Sequence, residues 1–260
     1  MRVLAILLVL APLLLRAMAT PAWAGDVVSL NLCTDDFLVL LAPQRVAALS
    51  PLARDPALSV VAGAAARLPW VRADAEAVLR LHPALVLAGP YGAETTLAAL
   101  RRAGLRVVET RLPDDFAQIR VETMRLATLL GAKARGEAML AAMDARLAGI
   151  RRARSLSTGV LRALALAPRG YSSGPGTLED AVLRRAGLVN MARGRRMGLE
   201  AILADRPDVL VVATRPAFPS LATDLLRHPA LRGIPRLRLP PALLACGGPW
   251  TARAVQRLAR

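Results

Sequence analysis

The stretch Glu76-Ala-Val-Leu-Arg-Leu-His-Pro-Ala-Leu-Val-Leu-Ala88 decides the fold that this sequence predicts, because a similar stretch returns in the second half of the chain. The second copy is Glu200-Ala-Ile-Leu-Ala-Asp-Arg-Pro-Asp-Val-Leu-Val-Val212. Each copy places an apolar pair after the Glu, then a proline, Pro83 or Pro207, and then an apolar run.

This pattern predicts a short helix, a break and a buried strand. A carboxylate is favoured near a helix N-terminus, and proline both stops a helix and favours an extended residue before it. The apolar runs Leu85–Ala88 and Val209–Val212 are typical of strands buried on both faces in a parallel sheet. Two copies predict an α/β fold with two similar lobes, each with a small, mostly parallel sheet. The alternative is chance recurrence of a joint that is common in α/β proteins.

The rest of the chain fits two lobes and a connector. The 260 residues suffice for two modest lobes. We expect an N-terminal lobe over 25–132, a connector helix over 133–154 and a C-terminal lobe over 155–260. The connector is helical by its apolar period, and its heptads are too few to support the alternative of a coiled coil.

Near the start of the first lobe, Val27–Leu32 is predicted as a strand, and Thr34-Asp35-Asp36 as the cap of a helix over Phe37–Leu41. Residues 50–70 contain several prolines and are predicted to be irregular. A loop of that length is usually functional or covers a site.

Composition limits the function classes. The formal charge is +16, which suggests nucleic-acid binding. However, the arginines are scattered along helices, and no aromatic-interleaved strand or zinc-finger spacing accompanies them. We therefore interpret the charge as a solvated basic surface and expect no nucleic-acid partner.

The first 24 residues predict export. Arg2 precedes an apolar segment that is too short for a stable membrane anchor, and Ala22-Trp23-Ala24 places small residues where a signal peptidase reads. We expect residues 1–24 to be a cleaved signal peptide, with a soluble periplasmic product that begins at Gly25.

The segment Gly170-Tyr171-Ser172-Ser173-Gly174 matches a nucleophile-elbow motif and offers an alternative function, a secreted serine hydrolase that uses Ser172. His228 would be the base. The elbow needs a helix directly after the serine, and Pro175-Gly176 interrupts it. We therefore prefer a ligand-binding function to a hydrolase, and we expect no enzymatic activity and no cofactor.

Metal binding by the protein alone is not expected. The chain has two histidines, His82 and His228, and two cysteines, Cys33 and Cys246. These are too few for a cage of several imidazoles.

Four large aromatic residues stand in predicted loops or at loop–helix joints beside glycine or proline. A ring in a loop offers contact area at low entropic cost, which favours a ligand surface. The alternative is that a ring folds back into the core. The four residues are Trp70, Tyr91, Tyr171 and Trp250.

The order of these elements resembles the periplasmic substrate-binding proteins of iron–siderophore and cobalamin ABC transporters. The resemblance rests on the first strand with Thr34-Asp35-Asp36, on the two repeats and on the mid-chain connector, and it covers essentially the whole mature chain. It implies two α/β lobes joined by one long helix, with a ligand between them. The partners would be a metal chelate, either a corrinoid such as cobalamin or a ferric siderophore, and an inner-membrane ABC permease. We expect a monomer.

The resemblance also implies roles for particular residues. Trp70 stands where a cobalamin-binding member has a cleft tryptophan, and Tyr91 and Tyr171 fall where it has other rings. Glu76 and Glu200 match the carboxylates that dock onto permease arginines, and the alternative for each is a helix-capping role. No tryptophan precedes Glu200, so the sequence does not choose the chelate.

Arginines in the predicted loops suit carboxylate or catecholate edges of such a chelate, and the alternative for each is surface solvation. The candidates are Arg54, Arg72, Arg169 and Arg196.

The resemblance places Cys33 and Cys246 beside the cleft, on opposite lobes, and on that basis we expect a disulfide between them. The alternatives are two buried free thiols and soft ligation of the metal in the chelate.

Overall fold

The computed structural model describes residues 25–154, 159–194, 196–214 and 224–259. The predicted signal peptide over 1–24 lies outside these ranges. Within them, no helix is both long and apolar enough to cross a bilayer.

Two four-stranded sheets form the centre of the molecule, and every strand pairing in them is parallel. The first sheet consists of β1 (Val27–Ser29), β2 (Val46–Ala48), β3 (Leu85–Ala88) and β4 (Val107–Glu109). The second sheet consists of β5 (Arg162–Ala165), β6 (Val189–Asn190), β7 (Val209–Ala213) and β8 (Arg236–Leu239).

The two sheets have the same topology. The first has the order β2-β1-β3-β4 and the second the order β6-β5-β7-β8, so each strand of one sheet has an equivalent in the other. The apolar runs of the repeat become β3 and β7, which lie at the interior of their sheets and are buried. The predicted fold class, two similar α/β lobes with small parallel sheets, is confirmed.

Helices flank both sheets. In the first half these are α1 (Leu32–Leu41), α2 (Ala62–Ala65), α3 (Ala75–Leu79), α4 (Glu94–Arg102) and α5 (Phe116–Leu129). They are followed by α6 (Lys133–Arg154), which is the long helix between the two halves. In the second half they are α7 (Leu178–Arg185), α8 (Leu199–Asp205), α9 (Asp224–Arg227) and α10 (Ala252–Leu258).

Two elements belong to the cores of both halves. The start of α5, with Phe116 and Ile119, packs with the second sheet, whereas Leu126 and Leu130 near its end pack with the first. The chain after β8 also contributes to both cores, first to the core of the first half and then to the core of the second. Trp250 lies in the first core, and α10 lies in the second. The halves are therefore joined by packed apolar surface as well as by α6.

The structure corrects several local predictions. The first strand ends at Ser29, and α1 begins at Leu32, where the Asn31 side chain accepts a hydrogen bond from the Cys33 N–H at 2.9 Å. Asp35 and Asp36 therefore lie buried inside the helix and do not cap it. The short strand β6 was not predicted, because its half-exposed pair of residues gives no periodic signal.

The residue before each repeat proline is also different from expectation. His82 and Arg206 have φ values of 45° and 46°, the left-handed region, and are not extended. Arg206 is the left-handed C-cap residue of α8, whereas His82 lies in the turn after α3, whose C-cap is Arg80. Each left-handed residue redirects the chain toward the following strand.

Candidate functional site

The carboxyl ends of the two sheets meet at the junction between the lobes. The Ala242 N–H, just after β8, donates to the carbonyl oxygen of Ala57 in the loop after β2 at 3.1 Å. Farther along, Gly247 packs closely against Pro113, in the loop after β4. A Cβ added at Gly247 would lie only 3.0 Å from Cδ of Pro113. Because ligands of open parallel sheets bind at the carboxyl ends of the strands, this junction is the candidate site.

The first lobe presents an apolar surface at this edge. Trp70 is 46% exposed and forms an isolated bridge to Leu49 at the end of β2, while Tyr91, in the loop after β3, is 77% exposed. Leu52, after β2, and Leu112, after β4, are also exposed. Neither leucine is predicted from the sequence to belong to the site, since a single apolar residue in a loop carries no periodic signal.

The described part of the second lobe presents one exposed ring at the same edge. Tyr171, in the loop after β5, is 55% exposed and bridges Arg196 in antiparallel fashion. The Met197 N–H donates to the Gly170 carbonyl oxygen at 2.8 Å, and the Ala167 N–H donates to the Tyr171 carbonyl oxygen at 2.8 Å. These backbone bonds fix the position of the ring.

Each lobe pairs an arginine with one of these rings. The Arg54 guanidinium carbon lies 5.7 Å from the centroid of the Trp70 ring, and that of Arg196 lies 5.8 Å from the centroid of Tyr171. Each arginine is held by a backbone carbonyl. Arg54 Nη2 donates to the Leu68 oxygen at 2.7 Å, and Arg196 Nε donates to the Arg169 oxygen at 3.1 Å.

The loop that carries Arg54 is fastened to α1 by two buried carboxyl groups. Asp35 accepts hydrogen bonds from Ser50 N at 3.0 Å and Ser50 Oγ at 2.5 Å, and Asp36 accepts one from Ser59 Oγ at 2.7 Å. Burial raises the pKa of the Asp35 carboxyl to about 7, although its serine hydrogen bonds lower it. Burial likewise raises the pKa of Asp36 to about 6. The structural role of both carboxyl groups is not predicted from the sequence, because their pattern indicates a helix cap.

Two more buried acids fasten other loops of the site. Glu122 accepts from Thr110 Oγ1 at 2.8 Å and Arg111 N at 3.0 Å, just after β4. Burial raises its pKa, but these bonds and Arg125 outweigh that effect, so the pKa lies below its usual value. In the second lobe, Asp180 accepts from Gly176 N at 3.3 Å and Asn190 Nδ2 at 3.1 Å.

Trp250 is not part of the ligand surface. Its ring is only 5% exposed and lies 5.0 Å from the ring of Phe37, and its Nε1 donates to the Cys246 carbonyl oxygen at 3.1 Å. The prediction that Trp250 contacts the ligand is wrong, because the segment after β8 turns this ring into the core of the first lobe. Trp250 is thus a case of the alternative given above, an aromatic ring that folds from a loop into the core.

Cys33 and Cys246 form a disulfide, with their Cα atoms 5.2 Å apart and a sequence separation of 213 residues. The bridge lies at the junction, between the start of α1 and the segment after β8. It therefore gives the two lobes a covalent link in addition to α6.

The two repeat glutamates are exposed in equivalent short helices. Glu76 lies in α3 and Glu200 in α8. The capping alternative fails for Glu76, because Asp74 is the N-cap residue and its side chain accepts from the Ala77 N–H at 2.8 Å. At α8 the N-cap is Gly198, with no side-chain bond. Both glutamates are thus free of a capping role.

The other two arginines that were predicted to contact the ligand, Arg72 and Arg169, have different surroundings. Arg169 lies beside Tyr171 in the left-handed region, with φ 59°, and its carbonyl oxygen accepts from Arg196. Arg72 is exposed, two residues after Trp70. Their contact with a ligand remains a prediction.

The geometry around Ser172 does not support a hydrolase. The chain after Ser172 remains irregular up to α7. His228 is exposed, and its Nδ1 accepts a hydrogen bond from the Ala230 N–H at 3.2 Å. A triad histidine uses Nδ1–H to donate to a carboxylate, which this bond prevents.

A groove of about 600 Å³ lies elsewhere, where α5, α6 and α7 meet. Its wall includes Phe116 and the ion pair of Arg120 with Asp144. It contains none of the rings discussed above. Among the described residues, no group of three or more histidine, cysteine, aspartate or glutamate side chains is arranged to hold a metal ion.

Comparison with known proteins agrees with this geometry. The family model described as "Periplasmic binding protein" matches residues 27–238. A "Cobalamin-binding protein" from Halobacterium salinarum is 30% identical over 152 residues, which are 53% of this chain and 40% of that protein. The chain thus spans less than half the length of the curated relatives it matches.

Solved structures share the fold over nearly the whole chain. The periplasmic heme-binding protein RhuT from Roseiflexus sp. RS-1 is 25% identical, with a TM-score of 0.72, and the match covers 90% of this chain and 96% of RhuT. A periplasmic heme-binding protein from Pseudomonas aeruginosa is also 25% identical, with a TM-score of 0.68 over 90% of this chain and 91% of that one. From the two matched sheets, the ring-bearing junction and the family match over most of its length, we conclude that this chain belongs to the periplasmic binding protein family.

Proposed function

We propose that this protein captures a metal chelate in the periplasm and delivers it to an ABC importer. The observation that carries the proposal is the set of exposed rings at the carboxyl ends of both sheets, Trp70 and Tyr91 on one lobe and Tyr171 on the other. Large apolar rings left in water on both sides of a junction favour a broad, rigid ligand that stacks between them.

The chelate class is supported by both the protein chemistry and the relatives. The described residues offer no cluster for a bare metal ion, so the metal would arrive with its own organic ligands. The relatives named above bind cobalamin or heme according to their names. Corrinoids, iron porphyrins and ferric siderophores are therefore the ligands to test.

The remaining parts of the proposal concern export and docking. Residues 1–24 would direct export and be removed, leaving Gly25 as the first residue, and the protein would act as a monomer. Glu76 and Glu200, exposed on equivalent helices, would contact basic residues of the permease.

A thermal-shift screen of the mature chain tests the proposed function. The probes are cyanocobalamin, cobinamide, hemin and ferric siderophores of the catecholate and hydroxamate types. A ligand present at a hundred times its dissociation constant adds about 2.7 kcal/mol to the free energy of unfolding. We expect one class to raise the melting temperature, and the rise to be lost in the double variant Trp70→Ala with Tyr91→Ala. If the folded protein responds to none of the probes, the proposal fails.

A further inference from the structure

The positive charge of the chain is concentrated in its second half. Residues 25–132 contain 11 arginines and 11 acidic residues, so the formal charge of this part is zero. Residues 155–260 contain 16 arginines and six acidic residues, a formal charge of +10, and residues 133–154 add +4. Charge of one sign concentrated in one lobe attracts a polyanionic partner and orients the molecule toward it.

The fold brings part of this charge to the amino ends of the strands of the second sheet, which form the edge opposite the ligand junction. The strands are parallel, so their amino ends lie side by side. Two strands begin with an arginine, and three helical segments that lead into this edge end with one. These five residues are called the basic edge here: Arg162, Arg185, Arg206, Arg232 and Arg236.

The charges of the basic edge are not neutralised by the protein. Among the described residues, none of the five arginines forms an ion pair with a carboxylate. Asp208, an exposed acid at the same edge, accepts from the backbone N–H of Arg162 at 2.7 Å. The Arg162 side chain donates through Nη1 to the carbonyl oxygen of Arg206 at 3.4 Å. The guanidinium carbon of Arg185 lies 5.4 Å from the centroid of the Phe116 ring.

Three apolar side chains are exposed at the same edge. Val160 is 64% exposed, Leu161 52% and Val189 48%. The Val189 N–H donates to the Leu161 carbonyl oxygen at 2.9 Å, and Val189 stands opposite Arg162 in the strand register. Neighbouring apolar side chains left in water mark an interaction surface. Their combination with arginines is typical of proteins that bind the interface of an anionic bilayer, where cations meet phosphates and apolar groups enter between the headgroups.

We propose that the basic edge, together with Val160, Leu161 and Val189, binds the anionic phospholipid headgroups of a membrane surface. A nucleic acid would also attract the arginines, but it gives no role to the three exposed apolar side chains. The inference goes beyond the proposed function and does not depend on which ligand the junction takes. In a protein that supplies an importer, such binding would keep the loaded protein close to the membrane.

Vesicle binding tests this inference with the mature chain, residues 25–260. The protein is mixed with vesicles of phosphatidylcholine alone or of phosphatidylcholine with phosphatidylglycerol, and the bound fraction is measured by sedimentation. Each arginine close to an anionic bilayer strengthens partitioning about fivefold. We therefore expect a preference of about tenfold or more for the vesicles that contain phosphatidylglycerol, and added salt should reduce it.

Matched charge variants locate the surface. Arg162→Gln with Arg232→Gln should lower the partition coefficient by about tenfold or more. The control, Arg102→Gln with Arg106→Gln, removes the same charge from exposed positions of the first lobe, where Arg106 precedes β4, the equivalent of β8. Because the attraction falls off within a Debye length, the control should change the partition coefficient by less than about twofold.

An apolar variant distinguishes a lipid surface from a site for soluble polyanions. Leu161→Ser with Val189→Thr keeps every charge of the basic edge but shortens or polarises two exposed side chains. It should lower partitioning into the anionic vesicles several-fold, because less apolar surface enters the bilayer interface. Its affinity for a single-stranded oligonucleotide, measured by fluorescence anisotropy, should equal that of the unsubstituted protein.

Several outcomes would overturn the inference. Equal affinity for both kinds of vesicle is one, and an equal loss in the edge variant and in its control is another. Unchanged vesicle binding by Leu161→Ser with Val189→Thr is a third, since it would indicate a surface for polyanions such as nucleic acid. Melting curves verify that each variant is folded, and the lipid preference and salt response of the unsubstituted protein need no variant. The ligand screen above is independent of these results, so the proposed function stands or fails separately.

Discussion

The ring of Trp250 packs against the ring of Phe37 at 5.0 Å, although Trp250 follows the last strand of the second sheet and Phe37 lies in the first helix of the chain. The segment after β8 thus leaves its own lobe, enters the core of the other lobe and returns as α10. This crossing explains why Trp250 is buried, whereas Trp70 is half-exposed.

Trp70 and Trp250 should therefore respond differently to truncation. Trp250→Ala removes a buried ring and should lower the free energy of unfolding by about 3–5 kcal/mol. Trp70→Ala removes a half-exposed ring and should change stability little while weakening ligand binding. Urea unfolding and ligand titration of both variants check this contrast, and a stable Trp250→Ala protein that has lost its ligand affinity would contradict it.

The Cys33–Cys246 bridge should stabilise the oxidised protein. It closes a loop with a sequence separation of 213 residues. By the loop-entropy model such a bridge contributes about 5 kcal/mol, and a strained bridge contributes less. The double variant Cys33→Ala with Cys246→Ala should unfold at a clearly lower urea concentration. Two free thiols in denatured protein purified from the periplasm without reductant would rule out the bridge.

The pH dependence of stability should reveal the two buried aspartates. Burial raises the pKa of Asp35 to about 7 and of Asp36 to about 6, so the folded state binds more protons than the unfolded state between about pH 4 and pH 7. Their contribution to the free energy of unfolding is therefore fully present below about pH 4 and is lost as the pH rises to about 7. Each pKa unit corresponds to about 1.4 kcal/mol, so the loss should amount to a few kcal/mol.

The variant Asp35→Asn keeps a neutral group of similar shape beside Ser50 and should flatten this pH profile. Urea unfolding at several pH values between 4 and 8 measures the effect. The variant Asp144→Asn, at an exposed ion pair on α6, serves as the control and should keep the slope of the native protein. An unchanged slope in Asp35→Asn would show that this carboxyl group is ionised in the fold throughout the range.

Charge reversal tests the docking surface. The variants Glu76→Arg and Glu200→Arg should lower uptake in cells that depend on this protein, while ligand affinity stays the same. Stability should fall by no more than about 1 kcal/mol, because both side chains are exposed and neither caps its helix, so only the favourable position of a carboxylate in the first turn is lost. Glu137→Arg, an exposed site on α6, is the control. Full uptake by the double reversal would remove both glutamates from the docking proposal.

Glycine should be favoured at the two left-handed positions that follow α3 and α8. His82→Gly and Arg206→Gly relieve the contact between Cβ and the carbonyl oxygen that disfavours φ values near 45°. We expect each to raise the free energy of unfolding by up to about 1 kcal/mol, after the greater entropy of glycine in the unfolded chain is included. Ala77→Gly, inside α3, should lower it by about 1 kcal/mol. A destabilised His82→Gly variant would mean that its imidazole has a structural contact.

The sequence by itself determined the architecture, because the information lies in local patterns that occur twice. The apolar runs at Leu85 and Val209 can be buried only in a sheet interior, and the prolines at 83 and 207 separate each run from its helix. The positions of Tyr91 and Tyr171 after strands also followed from the order of elements, since parallel strands bring their carboxyl ends to one edge. The place of Trp70 beside Leu49, at the end of β2, is shown only by the structure.

Only the tertiary structure decided which groups are buried, because burial depends on contacts between distant segments. Trp250 and Tyr91 both stand beside glycine and proline in the sequence, yet one lies in the core of the opposite lobe and the other lies in solvent. Asp35 and Asp36 have the pattern of a helix cap, but the helix begins at Leu32, before both residues, and carries them into the interior. The pairing of Arg54 with Trp70 and of Arg196 with Tyr171 is likewise decided by folding alone. The two arginine side chains donate to carbonyl oxygens that lie 14 and 27 residues away in the sequence.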